Sequence, residues 1–559
     1  MRTGKAGDRM SCGTGDRGTR MTLGLIRSVG ERAYLELESA RLFLGAGLAR
    51  IESPIVLLSA ATALVRYGTL AAGLRMSAAR YGGRTALIDE LGSLTFAELE
   101  DRSNRLANAW REAGLKPREG VAILARNHRG IVDAIFAAAK CGARIILLNT
   151  DFAGPQIRDV ATREGTDLLV YDEEYAHMLE EVSPRRGSYL AWTETPSEDS
   201  LEALIAAGSP DAPPSPGAEP RIILLTSGTT GTPKGAPRPE PKSLASLGGL
   251  LSKVPFRAGE VTECCAPMFH TLGFACGMLT LGFGSTLVIR RRFDPQAAID
   301  SAARNHASTM IVVPVMLARM VDLGGKGVTG RDLSALRIIF VAGSQLGAQL
   351  CREVTATFGP VIYNLYGSTE VAYATIATPE DLAVEPGCVG RPVLGARVEI
   401  LDADGKSVPA GATGRIFVGN VIQFEGYTGG GHKEIIRGLM SSGDVGHFDS
   451  AGRLFIDGRD DDMIVSGGEN VFPAEVEELL YTHFAVREVA VIGVPDEQFG
   501  SRLKAFVVVH DGQACTEAEV KDFVKSNLAR YKVPREVVFL EELPRNPTGK
   551  VLKRKLQEA

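Results

Sequence analysis

The sequence predicts an α/β protein with a large N-terminal domain of stacked sheets and a smaller C-terminal unit. Two series of apolar strands that alternate with helical segments indicate parallel sheets, because parallel strands are joined by helical crossovers. A turn-rich stretch of short strands at 397–420 indicates a small antiparallel barrel or sheet. After Gly458 a compact pattern of helices and strands begins again, which places a domain boundary near residues 457–461.

The first α/β series follows a helix with local start and stop signals. Thr95 and Glu98 have the spacing of a capping box, and Gly114 ends the helix. The next segments are predicted as strand, helix, strand and strand: Val121–Ala125, Ile131–Lys140, Ala143–Asn149 and Asp167–Asp172. A loop with five prolines at 208–220 then leads to a strand at Arg221–Thr226.

The second series and the C-terminal unit show the same signals. Strands are predicted within the segments 285–293, 309–316, 336–343 and 361–367. In the last segment the strand is predicted to end at Ile362, before the motif that begins at Asn364. The C-terminal unit is predicted to contain helices at Pro473–Tyr481 and Glu517–Leu528 and strands at 488–494, 504–509 and 536–543.

The N-terminal region differs from the rest of the chain. Residues 1–20 are rich in Gly, Arg and Asp, which predicts disorder. Residues 41–75 are the most apolar part, but the run from Pro54 to Val65 is shorter than the roughly 20 residues that span a bilayer. We predict helices packed on the protein's own core, with contact to a membrane surface as the alternative.

Composition excludes several classes of function. Of the 559 residues, 45% are hydrophobic and 23% are charged, which is typical of an ordinary globular protein. A net charge of −5, from 62 basic and 67 acidic residues, gives no basis for nucleic acid as a partner. The eight cysteines are scattered without a C-x-x-C pair, which predicts reduced thiols in the cytoplasm.

The segment "LLTSGTTGTPKGA", Leu224–Ala236, has the composition of a phosphate-binding loop. Its glycines permit positive φ angles, its hydroxyl groups donate hydrogen bonds, and Lys234 adds positive charge. It is not the loop of a P-loop NTPase, because Pro233 precedes the lysine and Gly235 follows it. The segment therefore predicts a phosphate site of another kind.

Four other positions carry side chains whose function the residues alone leave open. Glu370 in "NLYGSTE" suits Mg²⁺, which prefers carboxylates together with phosphate oxygens. Asp444, in a predicted glycine-flanked turn, caps that turn or accepts hydrogen bonds from a ribose diol. Lys550 is a surface charge or a catalytic cation, and His270 is a packed residue or a catalyst.

Taken in order, these motifs resemble the adenylate-forming superfamily of acyl-CoA synthetases, adenylation domains and luciferases. The resemblance covers roughly residues 80–559 and rests on "TSGTTGTPKGA", "APMFHTLGF", "FVAGSQLG", "NLYGSTE", "GCVGRP", "SSGDVGHFD", "GRDDDMIVSGGENVFPAEVE" and "NPTGK". Within the superfamily the chain is most similar to bacterial fatty-acid–CoA ligases. The resemblance implies an N-terminal extension at 1–80, an AMP-binding domain at 81–457 with its β-barrel-like subdomain, and a mobile α+β domain at 458–559.

The resemblance also implies a role for each matching residue. It implies ATP or AMP contacts for Thr226, Ser227, Gly228, Thr229, Thr230, Gly231, Lys234, Gly343, Ser344, Gln345, Asn364, Tyr366, Gly367, Asp444 and Arg459. It implies catalytic roles for Lys550, Thr369, Glu370 and His270, with Glu370 as the Mg²⁺ ligand. Asp461 would be the hinge, and Ser466, Gly467 and Gly468 would line the coenzyme A channel.

In finer detail, the loop at 226–234 would hold the β- and γ-phosphates, and Tyr366 would stack on adenine. Asp444 and Arg459 would bind the ribose hydroxyl groups. One segment departs from the family pattern: Ala342–Leu346 reads "AGSQL" where many members have "GGAPL". Because this segment borders adenine and the acyl pocket, the departure alters the expected adenine contact and pocket shape.

The activity implied is ATP-dependent conversion of a carboxylic acid, of the medium- or long-chain fatty-acid type, to an acyl-adenylate and then an acyl-CoA. ATP, Mg²⁺ and coenzyme A are the implied cofactor and substrates, and residues 41–75 are the candidate for peripheral membrane contact. A homodimer is one possible oligomeric state. The alternatives are an acyl-AMP ligase that loads a carrier protein, an aryl or other carboxylate–CoA ligase, and a non-catalytic acyl- or nucleotide-binding regulator. The short segment between Glu370 and Gly387 argues against the carrier-protein type, whose members carry a long insertion there.

Overall fold

A computed structural model of the protein describes residues 15–48, 54–226, 233–238, 243–422, 426–428, 430–460, 462, 464–466, 469–496, 500–546 and 549–558. Two helices open the described chain, α1 (Gly15–Gly45) and α2 (Pro54–Tyr81). The prediction of disorder is wrong for residues 15–20, because isolated glycines cost a helix only about 1 kcal/mol each and do not stop it. The rest of that prediction lies outside the described residues.

The N-terminal helices pack on the core, as predicted. Tyr67, Ala71 and Leu74 on one face of α2 are buried in the main hydrophobic cluster. Helix α2 is kinked at Gly68, whose φ of 81° and ψ of −178° are not helical. Within the described chain, no helix combines the length and hydropathy needed to cross a membrane. Contact of residues 41–75 with a membrane surface stays a prediction.

The large domain begins with two antiparallel strands and an α/β series. Its first elements are β1 (Thr85–Asp89), β2 (Gly92–Thr95), α3 (Phe96–Glu112), β3 (Gly120–Leu124), α4 (Arg129–Lys140), β4 (Arg144–Leu147), α5 (Gly154–Arg163), β5 (Thr166–Asp172), β6 (Ser188–Trp192) and α6 (Leu201–Ala207). The Thr95 side chain and Glu98 form the predicted capping box at the start of α3.

The second series contains the strands that carry the motif residues. Its elements are β7 (Arg221–Thr226), β8 (Lys234–Arg238), α7 (Ala245–Leu251), β9 (Val261–Cys264), α8 (Thr271–Gly282), β10 (Thr286–Ile289), α9 (Pro295–Arg304), β11 (Thr309–Val312), α10 (Pro314–Asp322), α11 (Gly325–Val328), β12 (Ile338–Val341), α12 (Ala348–Phe358), β13 (Ile362–Ser368), β14 (Ala372–Ala377), α13 (Pro379–Val384) and β15 (Arg391–Pro392).

These strands form two sheets whose central strands are parallel, as predicted. The nine-stranded sheet has the order β15-β14-β13-β12-β11-β9-β10-β1-β2, and the six-stranded sheet has the order β6-β5-β3-β4-β7-β8. Strand β13 extends to Ser368, because it pairs with β14 on its other side. The prediction that the strand ends at Ile362 is therefore wrong, and Asn364, Tyr366 and Gly367 lie within the strand.

The next sheet is antiparallel, as predicted, but it does not close into a barrel. Its strands are β16 (Arg397–Leu401), β17 (Gly414–Gly419), β18 (Ile435–Ile436), β19 (Leu439–Phe448) and β20 (Leu454–Arg459). Their order is β16-β17-β19-β18, with β20 also paired to β19. The sheet stays open because β18 has only 2 residues and does not reach β16 among the described strands.

The C-terminal unit has its own five-stranded sheet and its own core. Its elements are β21 (Ile464–Ser466), β22 (Glu469–Val471), α14 (Pro473–Tyr481), β23 (Val486–Asp496), β24 (Gly500–Val509), α15 (Glu517–Asn527), β25 (Glu536–Phe539) and α16 (Lys553–Gln557). Val476 and Leu480 on α14 pack against Val491 and Val507 of the central strands. The compact C-terminal unit predicted from the sequence is thus present.

A buried ammonium group joins α3 to α4 behind the six-stranded sheet. Lys140 is fully buried, and its Nζ donates to Glu100 Oε2 at 2.9 Å, Ser103 Oγ at 2.7 Å and Asn104 Oδ1 at 2.7 Å. Desolvation lowers the pKa of Lys140, and the charge of Glu100 opposes that change. The three acceptors keep a buried cation satisfied where an unpaired one would be costly.

We therefore predict that Lys140→Ala lowers the free energy of unfolding by about 3 kcal/mol, because Glu100 and two neutral acceptors lose their donor. Denaturant unfolding followed by circular dichroism measures the change. The matched control is Lys116→Ala at an exposed position, which should change stability by less than about 0.5 kcal/mol. Equal stability of the two variants would contradict the proposed contribution of the buried network.

Candidate active site

Side chains from both domains face one cleft of ≈ 2860 Å³. The cleft lies where β13 of the large sheet, β19 and β20 of the antiparallel sheet and the loop before α16 converge. Residues from distant parts of the chain line it, among them His270, Glu370, Asp444 and Lys550. The structure therefore brings together the motif residues that the sequence separates.

Asp444 is held from two sides by hydrogen bonds. Tyr366 on β13 donates its hydroxyl to Asp444 Oδ2 at 2.6 Å, and Arg459 donates to Oδ1 at 3.2 Å. Asp444 lies within β19 opposite Arg459 on β20, so the prediction of a turn at this position is wrong. The reason is that Asp444 pairs with Arg459 in the ladder of β19 and β20, which holds this segment as a strand. Desolvation raises the pKa of Asp444, and the charge of Arg459 opposes that rise.

Two cations converge beside Asp444 at a glycine. Gly443 has a φ of 82°, and a Cβ built there would lie 3.3 Å from Lys433 Nζ and 3.4 Å from an Arg459 guanidinium nitrogen. A side chain at this position would be strained and would push both cations away. The glycine thus preserves a positively charged concavity in the cleft, which is a surface suited to an anionic ligand.

Glu370 is anchored by two hydroxyl groups. Its Oε1 accepts from Tyr427 at 2.7 Å, and its Oε2 accepts from Ser368 Oγ at 2.9 Å. Burial alone would raise the pKa of Glu370, but these hydrogen bonds hold it below its ordinary value, so the group is a carboxylate at neutral pH. Lys234 Nζ lies 5.3 Å from the centre of the Tyr427 ring, which places the start of β8 beside this carboxylate.

A single carboxylate fits Mg²⁺ that arrives with a nucleotide. Among the described residues, no cluster of three or more His, Cys, Asp or Glu side chains could hold a metal ion. Mg²⁺ in nucleotide sites takes one or two protein carboxylates, with phosphate oxygens and water as the other ligands. The anchored carboxylate of Glu370 meets that requirement, since its two hydroxyl partners leave part of its acceptor capacity for a metal ion.

Lys550 enters the cleft from the C-terminal domain. Asn546 and Gly549 form a turn in which Gly549 N–H donates to the Asn546 carbonyl at 2.8 Å, and Lys550 N–H donates to Asn546 Oδ1 at 2.9 Å. Lys550 is exposed to solvent, but the solvent it meets lies inside the cleft, whose walls are formed by both domains. Desolvation and the charge of Arg459 lower the pKa of Lys550, while Asp444 and Glu370 oppose the decrease.

The Lys550 loop also packs on the large domain. A Cβ at Gly549 would lie 2.3 Å from Val315 Cγ1 on α10, so only glycine permits this approach. In a second contact between the domains, Gln345 Nε2 donates a hydrogen bond to Glu478 Oε1 on α14 at 2.7 Å. The domains therefore meet in an arrangement that places Lys550 in the same cleft as Asp444 and Glu370.

His270 lies at the other side of the cleft, directly before α8. Its Nε2 atom is buried and has no hydrogen-bond partner in the described protein, and the ring tilts against Phe269 at 4.7 Å between centroids. Desolvation lowers the pKa of His270 to about 4, with a further decrease from the charge of Lys550. Next to it, Thr271 Oγ1 lies 3.4 Å from Thr369 Oγ1. A neutral imidazole thus lines the cleft next to the contact of Thr271 with Thr369 and feels the charge of Lys550.

The adenine-side residues predicted from the resemblance also line the cleft. They are Gly343, Ser344, Gln345, Asn364 and Gly367. Gly343 has a φ of 105°, which favours glycine at the end of β12. Their shared location agrees with the expected nucleotide side of the cleft, while the contacts themselves stay a prediction.

Some predicted site residues cannot be placed. Ser227, Gly228, Thr229, Thr230, Gly231, Asp461, Gly467 and Gly468 lie outside the described residues. Thr226 ends β7 and Ser466 ends β21, and for these two only the backbone is described. The phosphate-loop, hinge and coenzyme A channel assignments therefore stay predictions.

Sequence reasoning missed several residues of the cleft. Tyr427 and Lys433 flank a glycine-rich segment, and Thr271 follows His270 directly. The glycines near Tyr427 were an available signal, since clustered glycines often allow close approach to a ligand. Glu478 carried no such signal, because its partner Gln345 lies on the other domain.

Comparison with known proteins identifies the family. The model of the "AMP-binding enzyme" family matches residues 74–428, and that of the "AMP-binding enzyme C-terminal domain" matches residues 475–550. The chain belongs to the AMP-binding enzyme family. The resemblance to the adenylate-forming superfamily is therefore confirmed, and so is its architecture of a large N-terminal and a small C-terminal domain.

Individual members of this family are similar over most of their length. A fatty acid–[acyl-carrier-protein] ligase, ScoC of Streptomyces coeruleorubidus, is 30% identical over 492 residues, covering 85% of this chain and 93% of the relative. An indoleacetate–CoA ligase of Aromatoleum aromaticum is 32% identical over 489 residues, covering 84% and 94%. At the level these relatives share, this AMP-binding enzyme is an adenylate-forming acid–thiol ligase.

A solved family structure gives the same fold. The o-succinylbenzoate CoA synthetase MenE from Bacillus subtilis, in complex with its acyl-adenylate intermediate, superposes with a TM-score of 0.77 at 26% identity. The match covers 87% of this chain and 98% of MenE. Both domains of this AMP-binding enzyme therefore have counterparts in a structure that holds an acyl-adenylate.

The position of His270 leads to a prediction about pH. Because the folded-state pKa of about 4 lies below the ordinary 6.5, unfolded chains bind a proton first as the pH falls. We expect the stabilising contribution of the neutral ring to be complete above about pH 6.5 and lost as the pH falls to about 4. NMR titration of the ring should show half-protonation near pH 4, and His270→Gln should remove that signal. A midpoint near 6.5 would contradict the buried, cation-facing placement of the ring.

Proposed function

We propose that the protein activates a medium- or long-chain fatty acid with ATP as an acyl-adenylate and then transfers the acyl group to coenzyme A. The observation that carries the proposal is the entry of Lys550 into the cleft that holds Asp444, Arg459 and Glu370. A lysine from a second domain, aimed at this group, supplies a cation where two anionic substrates must meet. Family membership supports the adenylation chemistry.

In the first step the carboxylate oxygen of the acid attacks the α-phosphorus of ATP, and the bond to pyrophosphate breaks. The acid gains a good leaving group, AMP, in place of an oxide. Because carboxylate and triphosphate repel each other, catalysis depends on preorganised positive charge. Lys550, Lys433 and Arg459 surround the cleft on the side of Asp444, where we place the nucleotide.

We assign Lys550 to the orientation of the carboxylate against the α-phosphate. The pKa of Lys550 is lowered from the ordinary lysine value of 10.5, but the charges of Asp444 and Glu370 favour the protonated form. Glu370 would hold Mg²⁺ bound to the phosphates, which supplies Lewis-acid neutralisation of the leaving pyrophosphate. Asp444 and Arg459 would bind the ribose, and Tyr366 would keep the carboxylate of Asp444 in place.

In the second step the thiol of coenzyme A attacks the acyl carbonyl, and AMP leaves. The thiol needs access to the carbonyl, but the Lys550 loop packs against α10 and faces the same cleft. We propose that the C-terminal domain rotates about Asp461 to remove the lysine, since one or two residues can absorb a hinge motion. His270, neutral and without a hydrogen-bond partner in the described protein, would border the reacting carbonyl.

The choice of acid rests on the apolar part of the cleft. Beyond His270 the lining includes Phe274, Met278 and Leu279 of α8, with no side chain among them that could pair with a second charge on the acid. The two ligases named above act on a fatty acid and on indoleacetate, so family membership alone does not identify the acid that this protein activates. The apolar side chains of α8 favour a flexible hydrocarbon chain.

We predict that Lys550→Ala lowers acid-dependent pyrophosphate release by at least about a hundredfold, because the first step loses its mobile cation. Formation of thioester from supplied acyl-adenylate and coenzyme A should stay close to wild type. Both half-reactions are measured separately, with Lys555→Ala at a nearby exposed lysine as the control. An equal decrease in both half-reactions would contradict a role confined to adenylation.

A substrate panel tests the acid and the acceptor. We expect pyrophosphate release to rise along a series of saturated fatty acids and to be low with benzoates, because a flexible chain buries more apolar area in this cleft. Coenzyme A should serve as acceptor in the thioester assay. A preference for benzoates would contradict the fatty-acid assignment, and acyl transfer to a phosphopantetheinyl carrier protein but not to coenzyme A would contradict the proposed acceptor.

A further inference from the structure

We propose that the N-terminal helices α1 and α2 form the distal wall of the acyl channel, and that the crossing of α2 over α8 at Gly73 and Gly282 sets the longest acyl chain. The inference rests on the proposed function and adds a specificity-determining region outside the motifs. It also gives a role to the N-terminal extension, which the chemistry of the nucleotide site leaves unexplained.

Helix α8 runs from the reacting end of the cleft into its apolar part. Thr271, at its start, is 3.4 Å from Thr369. Eight of its residues line the cleft: Thr271, Leu272, Phe274, Ala275, Cys276, Met278, Leu279 and Gly282. The spacings of one, three and four expected for one helical face are found in five of them: Phe274, Ala275, Met278, Leu279 and Gly282. With a rise of about 1.5 Å per residue, Gly282 lies about 16 Å along the axis from Thr271.

Helix α2 supplies the facing wall. Eight of its residues line the same cleft: Ala61, Leu64, Gly68, Thr69, Leu70, Ala72, Gly73 and Met76. Thr69, Ala72, Gly73 and Met76 have the three- and four-residue spacings of one helical face. The two helices are fixed to each other, because Ser77 Oγ donates to the Leu281 carbonyl at 2.8 Å and lies 3.2 Å from the Gly282 carbonyl. The wall is therefore rigid where α2 crosses α8.

The crossing is built from glycines on both helices. A Cβ at Gly73 would lie 3.5 Å from Gly282 Cα, an ordinary contact, and a Cβ at Gly282 would meet nothing within 4 Å. Both residues line the cleft. A longer side chain at Gly282 would start in open space, whereas one at Gly73 would extend toward Gly282 and fill the space between the helices. The absence of side chains lets the two helices approach closely beside the cleft.

Helices α1 and α7 complete the far end. Phe43, Leu48, Leu247 and Leu250 line the cleft there, and the first three belong to one apolar cluster with Phe283. Glu36 of α1 also lines the cleft, and Ser243 Oγ and the Leu244 N–H donate to its carboxylate. The environment past the crossing is thus suited to methylene groups.

The dimensions specify the ligand class. An extended chain advances about 1.2 Å per bond, so about 13 bonds cover the 16 Å between the reacting end and Gly282. Octanoate should end before the crossing, whereas hexadecanoate should reach it. A rigid aryl acid would leave the far end empty. The geometry therefore favours long flexible acyl chains.

The test adds a leucine to each wall in turn. We expect Gly282→Leu and Gly73→Leu each to lower kcat/KM for hexadecanoate at least tenfold, and to leave octanoate within about twofold of wild type. Leucine at a helical glycine raises helix propensity, and thermal unfolding checks the fold of each variant. The matched control is Gly325→Leu on α11, where a Cβ also meets nothing within 4 Å. This control should keep the wild-type chain-length profile.

Each outcome bears on the inference. Unchanged profiles in both variants would overturn it, and a changed profile in Gly282→Leu alone would show that α2 is not the wall. If a leucine variant fails to fold, Gly282→Ala should still give a smaller decrease with hexadecanoate, and no decrease would overturn the inference. A wild-type protein that activates no fatty acid contradicts the proposed function itself, a result distinct from an unchanged profile in the variants.

Discussion

The hydrogen bonds of Asp444 to Tyr366 and Arg459 are the constraint on which the candidate site depends. They connect β13 of the nine-stranded sheet to β19 and β20 of the antiparallel sheet, so one carboxylate fixes where two sheets meet. A buried carboxylate is stable only with such partners. The glycine beside it, Gly443, admits Lys433 and Arg459 to the same place. Arg459 therefore both satisfies Asp444 and adds positive charge to the cleft.

The cleft combines two environments that normally exclude each other. At one end, charged groups from both domains gather around Asp444 and Glu370, and Lys550 completes the set only when the C-terminal domain lies in the observed arrangement. At the other end, α2 and α8 enclose an apolar space. His270 also lines the cleft, and its neutral ring adds no further positive charge there. This division suits an acid with a charged head and a hydrocarbon tail.

Much of this arrangement could be predicted from the sequence, and the exceptions have physical causes. Helix α14 and the capping box at Thr95 are found where local signals placed them. Asp444 was expected in a turn, because flanking glycines suggest turns, but pairing with β20 keeps it in a strand. The contacts among Tyr366, Asp444 and Lys550 join positions far apart in the chain, and no local pattern encodes such distances. The same holds for Gly73 and Gly282, whose importance depends on a helix crossing.

The most direct test of the central claim follows oxygen atoms through the reaction. A fatty acid labelled with oxygen-18 in its carboxylate is incubated with the protein, ATP, Mg²⁺ and coenzyme A, and the products are analysed by mass spectrometry. Attack of the carboxylate on the α-phosphorus predicts one labelled oxygen in AMP and none in pyrophosphate. Label in released phosphate or pyrophosphate, or formation of ADP in place of AMP, would contradict the account.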